Sequence, residues 1–241
     1  NQVEELNAHA ATRAEAIVDM SRVLRIDFGF TAALFEAVKA IQLAGKHPVI
    51  IDVDAFALQN CYEVNYQPKA GEIVALLNIG AATMNINILN GTRSVFARDA
   101  SVGGSQYTSL LQRELGLSFE QAESVKRGMA LPEGIEPRPI QPIIETVSDT
   151  LALEVKKTID FYRTTAAEGE TTVQKILLAG GGSKLPGLAE YLSKRFEMPV
   201  EVFNPFKQIE VDDKKFDPDY MREIIPEMAV AVGLALRGVE A

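Results

Sequence analysis

Residues 177–192, LLAGGGSKLPGLAEYL, join an apolar run to an amphipathic run through three consecutive glycines. The apolar run favours a buried strand over 172–179, and the stretch from Pro186 to Phe196 favours a helix. A tight turn between them needs one or two glycines, because glycine supplies positive φ angles without steric cost. A third glycine indicates that something other than protein comes close to the backbone. The stretch therefore predicts a strand, a ligand-contacting turn and a helix.

Two more glycine turns lie upstream of this triplet. The residues Gly80-Ala81-Ala82 separate two apolar runs and form a candidate hairpin turn, and Gly103-Gly104 precedes a helical pattern. A hairpin turn of small residues leaves backbone N–H groups accessible to a phosphate, and Thr83 adds a hydroxyl group. Each turn taken alone is equally consistent with an ordinary tight turn, since short glycine motifs are weakly specific.

The rest of the pattern mixes strands and helices, as is typical of an α/β domain. Asn90-Gly91 is a strong hairpin signal, Asp54 is the expected N-cap of a helix, and Ser118 with Gln121 forms a capping box. The predicted strands are 22–27, 47–54, 72–79, 83–89, 93–100, 172–179 and 199–203. The predicted helices are 1–20, 31–45, 55–64, 105–115, 118–128, 144–162 and a final one that begins at Pro226. The stretches 131–142 and 204–220 are predicted to be irregular.

Composition excludes several classes of protein. The chain has 241 residues, 47% hydrophobic and 24% charged, with a net charge of −9. A net negative chain is a poor ligand for nucleic acid or for the surface of an anionic membrane, so we expect neither interaction. The best apolar run, residues 73–89, is interrupted by Asn78, Asn85 and Asn87, so direct membrane insertion is not expected either. The single cysteine, Cys61, excludes a disulfide framework and favours a reducing compartment. The chain begins with Asn1, and we expect an upstream segment.

The order of the motifs resembles the second half of the actin-like ATPases, which include actin, the sugar kinases and the heat-shock ATPases. Longer stretches resemble the PilM family, cytoplasmic actin-like proteins of the type IV pilus assembly platform that are related to FtsA. The similar stretches are DVDAFALQN (52–60), LLNIGAATMNINIL (76–89), SVFARDASVGGSQYT (94–108), LGLSFEQAESVKRG (115–128), LAGGGSKLPGL (178–188), VEVFNPFKQIEV (200–211) and AVAVGLALR (229–237). The resemblance runs from about Val49 to Arg237.

This resemblance implies an α/β, actin-like (ribonuclease H-like) fold with two domains around a nucleotide cleft and an incomplete first domain. Residues 1–71 would be the C-terminal part of domain I. Residues 72–225 would be domain II, with an inserted subdomain at about 105–171, and 226–241 a helix that returns to domain I.

The resemblance also implies a set of nucleotide-binding residues. Glu123 and Lys126 would reach the adenosine, and the residues alone permit a plain ion pair, because three positions apart they share one helical face. The residues expected to contact the nucleotide are Asn78, Gly80, Ala81, Ala82 and Thr83 of the second phosphate loop, Gly103, Gly104, Glu123, Lys126, and Gly180, Gly181, Gly182 and Ser183 of the adenosine motif. No catalytic residue and no protein metal ligand are predicted.

Two departures from the superfamily pattern concern the phosphates. Actin-like ATPases have an Asp-x-Gly hairpin in the first domain, which would supply backbone donors to ATP and would provide most of the contacts, through water, to Mg2+. Asp27-Phe28-Gly29 has the right letters, but a helical pattern follows where a second strand is needed, so we expect the hairpin upstream of Asn1. In the second phosphate loop Asn78 stands at the acidic position, and weak or no ATP hydrolysis is expected.

The implied function is an ATP-binding scaffold at the cytoplasmic side of the inner membrane. The implied partners are the cytoplasmic tail of PilN, other pilus platform proteins and pilus motor components. The alternative is a catalytic ATPase or phosphotransferase of the actin-like superfamily, possibly one that forms filaments.

Overall fold

The computed structural model describes residues 28–237 except 49, 130, 132–133, 135–136, 138, 167–171 and 212–213. The helices are α1 (Phe28–Leu43), α2 (Asp54–Tyr66), α3 (Gly104–Leu115), α4 (Phe119–Lys126), α5 (Ile140–Thr165), α6 (Leu188–Phe196), α7 (Pro218–Ile224) and α8 (Ala229–Arg237). The strands are β1 (Ile73–Ile79), β2 (Met84–Asn90), β3 (Arg93–Ala100), β4 (Lys175–Ala179) and β5 (Val200–Val202). Short 3-10 turns occupy Gly181–Lys184 and Ile225–Met228.

These five strands form one mixed sheet in the order β3-β2-β1-β4-β5. The first three strands are antiparallel neighbours, whereas β4 and β5 run parallel to β1. The chain passes from β3 to β4 through α3, α4 and α5. The two strands point in the same direction, and parallel strands need a long connection, because a short hairpin turn cannot join them. The hairpin turn before β2 and the glycine triplet after β4 therefore lie at the same edge of the sheet, because β1 and β4 end there.

The two faces of the sheet are covered by different helices. Alternate residues of β1 such as Ala75, Leu77 and Ile79 are buried on the face that carries α5 and α6. Val74 and Leu76 are buried on the opposite face, where α2 and α8 pack. Because both faces of β1 are covered, its sequence is an almost unbroken apolar run.

Helices α2 and α8 lie against each other with their backbones in contact. A Cβ atom at Gly233 of α8 would overlap the carbonyl oxygen of Ala57 in α2. Arg237, in the last turn of α8, donates from Nε to the Asp52 carboxylate at 2.5 Å. The Asp52 side chain is only 2% exposed, so this ion pair is a buried link between α8 and the segment that precedes α2.

Two local predictions at the start of α2 are wrong. Residues 47–54 were expected to form a strand, but among the described residues of this stretch only Ile50 makes an isolated bridge. A run of β-branched residues forms a strand only where several successive residues pair with a neighbour, and the described residues of this stretch show a single bridge. Asp54 is not the N-cap: Val53 occupies that position, and Asp54 is the first helical residue.

The remaining element predictions are mostly confirmed. The capping box of Ser118 and Gln121 is present at the start of α4. Residues 28–43 are helical, which agrees with the helical pattern after Asp27 and leaves no second strand there. The loop expected at 131–142 ends earlier, because α5 begins at Ile140 and accommodates Pro142 in its first turn. Within 204–220, the N-cap Asp217 starts the unexpected helix α7.

The predicted helix 1–20 and strand 22–27 lie outside the described residues. None of the helices in the described ranges is both long and apolar enough to cross a membrane. The predicted domain boundaries stay a prediction, although α3, α4 and α5 do form a contiguous insertion between β3 and β4.

Candidate functional site

A cleft of about 300 Å3 opens at the sheet edge where β1 and β4 end. Its walls come from the hairpin turn Gly80–Thr83, the start of α3, α4 from Phe119 to its C-cap Arg127, and the glycine turn, defined here as Gly180–Ser183. Lys184, Leu185 and Glu227 complete the lining. The lining residues are Gly80, Ala81, Gly104, Ser105, Tyr107, Phe119, Glu123, Lys126, Arg127, Gly181, Gly182, Lys184, Leu185 and Glu227. The structure thus brings predicted residues from four separate segments to one cavity.

The hairpin turn is fixed to the start of α3 by hydrogen bonds. Gly80 donates to the Thr83 carbonyl at 2.9 Å and closes the turn. The N–H groups of Gly104 and Ser105 donate to the carbonyls of Gly80 and Ala81 at 2.9 and 2.8 Å. These two carbonyls therefore have partners, while Ala81, Ala82 and Thr83 remain exposed at the tip of the turn.

The two glycines at the start of α3 differ in why the position lacks a side chain. A Cβ atom at Gly103 would lie 2.5 Å from the Ala81 carbonyl oxygen, so packing against the hairpin turn requires glycine there. At Gly104 the nearest atoms would be at 3.6 Å or farther, which is ordinary contact. Gly104 lines the cleft, so its missing side chain leaves space inside the cavity and not between two protein segments.

The three glycines of the triplet also differ in whether packing or backbone conformation requires glycine. Gly180 has φ of 80°, and a Cβ atom there would lie 2.6 Å from Asn78 Oδ1. A Cβ atom at Gly182 would overlap Ile79 Cγ2, so this glycine is needed for packing. Gly181 has neither restriction: it is exposed, its φ is outside the left-handed range, and the nearest atom to its Cβ would be Glu227 Oε1 at 3.6 Å. Two glycines serve the turn, and one serves the cleft.

Ser183 supports the glycine turn from inside. Its side chain is buried, and its hydroxyl donates to the Gly180 carbonyl at 2.7 Å. The Gly180 N–H donates to the Pro226 carbonyl at 2.8 Å, which joins the turn to the segment before α8. Ser183 thus shapes the turn, and the cleft surface at this point is formed by Gly181 and Gly182.

Glu123 and Lys126 form an ion pair on the α4 wall. Lys126 Nζ lies 2.5 Å from Glu123 Oε1 and 3.1 Å from the hydroxyl of the buried residue Thr108, which itself donates to Glu123. Burial acts to raise the pKa of Glu123, but the hydrogen bonds from Lys126 and Thr108 and the nearby positive charges outweigh it and lower the pKa. The cleft wall thus carries a charged carboxylate beside an ammonium group.

Seven lining residues were not predicted from the sequence: Ser105, Tyr107, Phe119, Arg127, Lys184, Leu185 and Glu227. Phe119 is 57% exposed at the mouth of the cleft, and Arg127 is exposed close by. On the opposite wall Lys184 pairs with Glu227 at 2.8 Å. The capping box placed Phe119 at the start of α4, but nothing in the local pattern indicates that this end of the helix faces the glycine turn.

The cleft therefore offers an exposed hairpin tip, a glycine surface, one exposed aromatic ring and charged groups of both signs. Such a mixture suits a ligand with a flat apolar part and polar or anionic groups. Within the described ranges, no cluster of three or more His, Cys, Asp or Glu side chains could hold a metal ion.

Residues 9–239 of the chain match the family described as type IV pilus assembly protein PilM. The chain belongs to the PilM family. Among solved structures, the PilM–PilN type IV pilus biogenesis complex resembles it with a TM-score of 0.73 and 28% identity, covering 100% of this chain and 73% of that chain.

One further protein and one further solved structure are similar to this chain. The ethanolamine utilization protein EutJ of Escherichia coli (strain K12) is 29% identical over 121 residues, which are 50% of this chain and 38% of EutJ. MreB5 of Spiroplasma citri, solved with AMPPNP, has a TM-score of 0.64 at 14% identity, covering 90% of this chain and 67% of that chain. The predicted actin-like fold is thereby confirmed, and the cleft lies in a PilM-family protein.

Proposed function

We propose that this chain binds ATP in the cleft and serves as a scaffold for type IV pilus assembly. The observation that carries the nucleotide part is the position of Gly104 and Gly181. Both line the same cavity, and neither glycine is required by a positive φ or by packing against protein. Their bare backbone leaves room for a ligand to lie against it.

The side chains of the cleft fit a nucleotide. The residues at the hairpin tip are exposed, and their backbone N–H groups would suit phosphate oxygens. The carboxylate of Glu123 can accept hydrogen bonds from ribose hydroxyls. Lys126 and Arg127 supply positive charge, and Phe119 presents an apolar face to a base. ATP would carry its own Mg2+ on the phosphates, since the described side chains do not gather into a metal site.

The scaffold part rests on family membership and on the likeness to the PilM–PilN complex. By this likeness the partner would be the cytoplasmic tail of PilN, at the cytoplasmic side of the inner membrane, with other platform and motor components nearby. Asn78 supports a role other than catalysis, because a neutral amide neither attracts a cation strongly nor takes up a proton at neutral pH.

Titration calorimetry of the full-length protein with ATP and Mg2+ tests the nucleotide part. We expect saturable binding in the wild type and at least about tenfold weaker binding in Lys126→Met, since a hydrogen bond to a charged group contributes about 1.5–3 kcal/mol. Lys156→Met is the matched control, because Lys156 lies in a salt bridge on the exposed side of α5, away from the cleft. Equal affinities of both variants for ATP would contradict the assignment of the cleft.

A second experiment separates the scaffold from a catalytic or filament-forming protein. We expect a synthetic PilN tail peptide to bind, ATP to cause no sedimentation of the protein, and phosphate release to stay near background. ATP-dependent sedimentation or turnover of several per second would favour the catalytic alternative.

A further inference from the structure

A buried threonine joins the two charged side chains of the α4 wall. Thr108 lies in the second turn of α3, is 1% exposed, and is not one of the residues that line the cleft. Its hydroxyl group contacts Glu123 and Lys126, which do line it. Thr108 thus supports the cleft wall from behind and connects α3 to α4.

The hydroxyl of Thr108 completes a ring of hydrogen bonds. A hydroxyl group has one hydrogen to donate and two lone pairs that accept. The Glu123 carboxylate is the nearer acceptor for this hydrogen, since the Gly104 carbonyl, one helical turn back along α3, lies at 3.4 Å. Lys126 Nζ donates to the same hydroxyl oxygen at 3.1 Å and to Glu123 Oε1 at 2.5 Å. Each of the three side chains therefore contacts the other two.

This ring occupies only one oxygen of the carboxylate. Thr108 and Lys126 both donate to Glu123 Oε1, and among the hydrogen bonds of the described residues none reaches Oε2. The Glu123 side chain lines the cleft and is 25% exposed. Because Oε1 is held by a buried hydroxyl group, Oε2 is the acceptor that is left for a ligand.

We infer that Thr108 is a positioning residue that holds Glu123 Oε1, so that the second carboxylate oxygen accepts from the ribose hydroxyls of ATP. This inference deepens the proposed nucleotide binding and rests on it. An ionised carboxylate can only accept, so it favours a ligand that brings hydroxyl donors over one that lacks them. The cleft should therefore distinguish ATP from dideoxy-ATP, the analogue without ribose hydroxyls, and this distinction should depend on Thr108.

Two variants at position 108 and a matched control separate positioning from folding. Thr108→Val keeps the shape of the side chain and removes the hydroxyl group, whereas Thr108→Ser keeps the hydroxyl group and removes the methyl group. Thr158 of α5 is also buried, lies outside the cleft lining, and donates to the Glu154 carbonyl of its own helix at 2.8 Å. Thr158→Val therefore removes a buried hydroxyl group that has no role in the cleft.

The measured quantity is the dissociation constant of dideoxy-ATP divided by that of ATP, determined for the full-length protein by titration calorimetry. We expect a ratio of at least about ten in the wild type, the scale of a hydrogen bond to a charged group. In Thr108→Val the ratio should fall to about two or less, because ATP binds more weakly while dideoxy-ATP has no hydroxyl contact to lose. Thr108→Ser and Thr158→Val should keep the wild-type ratio.

The ratio distinguishes positioning from a general disturbance of the fold. If Thr108 served folding alone, Thr108→Val would weaken both nucleotides alike and leave the ratio unchanged, which would overturn the inference. Equal affinities of the wild type for ATP and dideoxy-ATP would also overturn it, while leaving nucleotide binding itself intact.

The pKa of Glu123, followed by NMR without nucleotide, tests the positioning independently of a ligand. Burial raises this pKa, whereas the hydrogen bonds from Lys126 and Thr108 lower it. We expect a higher pKa in Thr108→Val and an unchanged pKa in Thr108→Ser, because only valine removes a hydrogen bond to the charged form. If the wild type does not bind ATP, the proposed function fails, while this pKa still decides whether Thr108 holds the carboxylate. An unchanged pKa in Thr108→Val would show that it does not.

Discussion

Replacement of Gly181 by valine separates a ligand-contacting glycine from a structural one. The Cβ atom of residue 181 would meet nothing closer than Glu227 Oε1 at 3.6 Å, and the backbone does not need a positive φ. We therefore expect the free energy of unfolding to change by less than about 1 kcal/mol, as for an ordinary surface substitution.

The effect of the same substitution on ATP binding should be large. The two methyl groups would stand in a cavity of about 300 Å3 and keep the ligand away from the backbone of the glycine turn. Loss of one or two hydrogen bonds to a charged ligand, at about 1.5–3 kcal/mol each, weakens binding by at least about tenfold.

Gly182→Ala is the contrasting variant. Its added Cβ atom would overlap Ile79 Cγ2 and lie 3.0 Å from the Ile79 carbonyl oxygen. Overpacking of this kind costs about 1–3 kcal/mol, so stability should fall even though the substitution adds only one carbon atom. Urea denaturation and titration calorimetry of both variants decide the matter. Normal ATP affinity of Gly181→Val would refute the assignment of Gly181 to ligand contact. Full stability of Gly182→Ala would refute the assignment of Gly182 to packing against Ile79.

Three more predictions concern the fold and its pH dependence. Arg237→Met should cost about 3–5 kcal/mol in urea denaturation, because it leaves the buried Asp52 carboxylate unpaired, and adding Asp52→Asn should recover part of the loss. Gly233→Ala should destabilise by more than about 1 kcal/mol in urea denaturation, because its Cβ atom would overlap the Ala57 carbonyl oxygen. The lowered pKa of Glu123 means that its contribution to stability is present above the ordinary value of 4.5 and is lost as the pH falls through the lower folded value, so the wild type should lose more stability on acidification than Glu123→Gln.

The sequence predicted the parts of the site that depend on local chain geometry. Glycines at the ends of strands and a capping box each impose a conformation on a few neighbouring residues, and the turns at Gly80 and Gly180 lie where these signals indicated. The sequence could not show which glycines are required by packing and which leave room for a ligand. Whether a missing Cβ atom leaves space for Ile79 or for a ligand depends on strands that are distant along the chain.

The failures have the same physical origin. Residues 47–54 have the composition of a buried strand, but a strand needs a neighbour, and composition does not supply one. Phe119 and Lys184 reach the cleft only because α4 and the glycine turn meet after folding. Thr108 is an unremarkable polar position in the sequence, and only the packing of α3 against α4 brings its hydroxyl group to Glu123.

The contact of Gly233 with Ala57 has a mechanical consequence. Helices separated by a layer of side chains can slide, because rotamer changes absorb small displacements. Where one backbone rests on another, no such adjustable layer exists, and any translation of α8 must carry α2 with it. The two helices therefore move as one rigid unit across the sheet. The Gly180–Pro226 hydrogen bond connects the glycine turn to the segment directly before α8, and so to this unit.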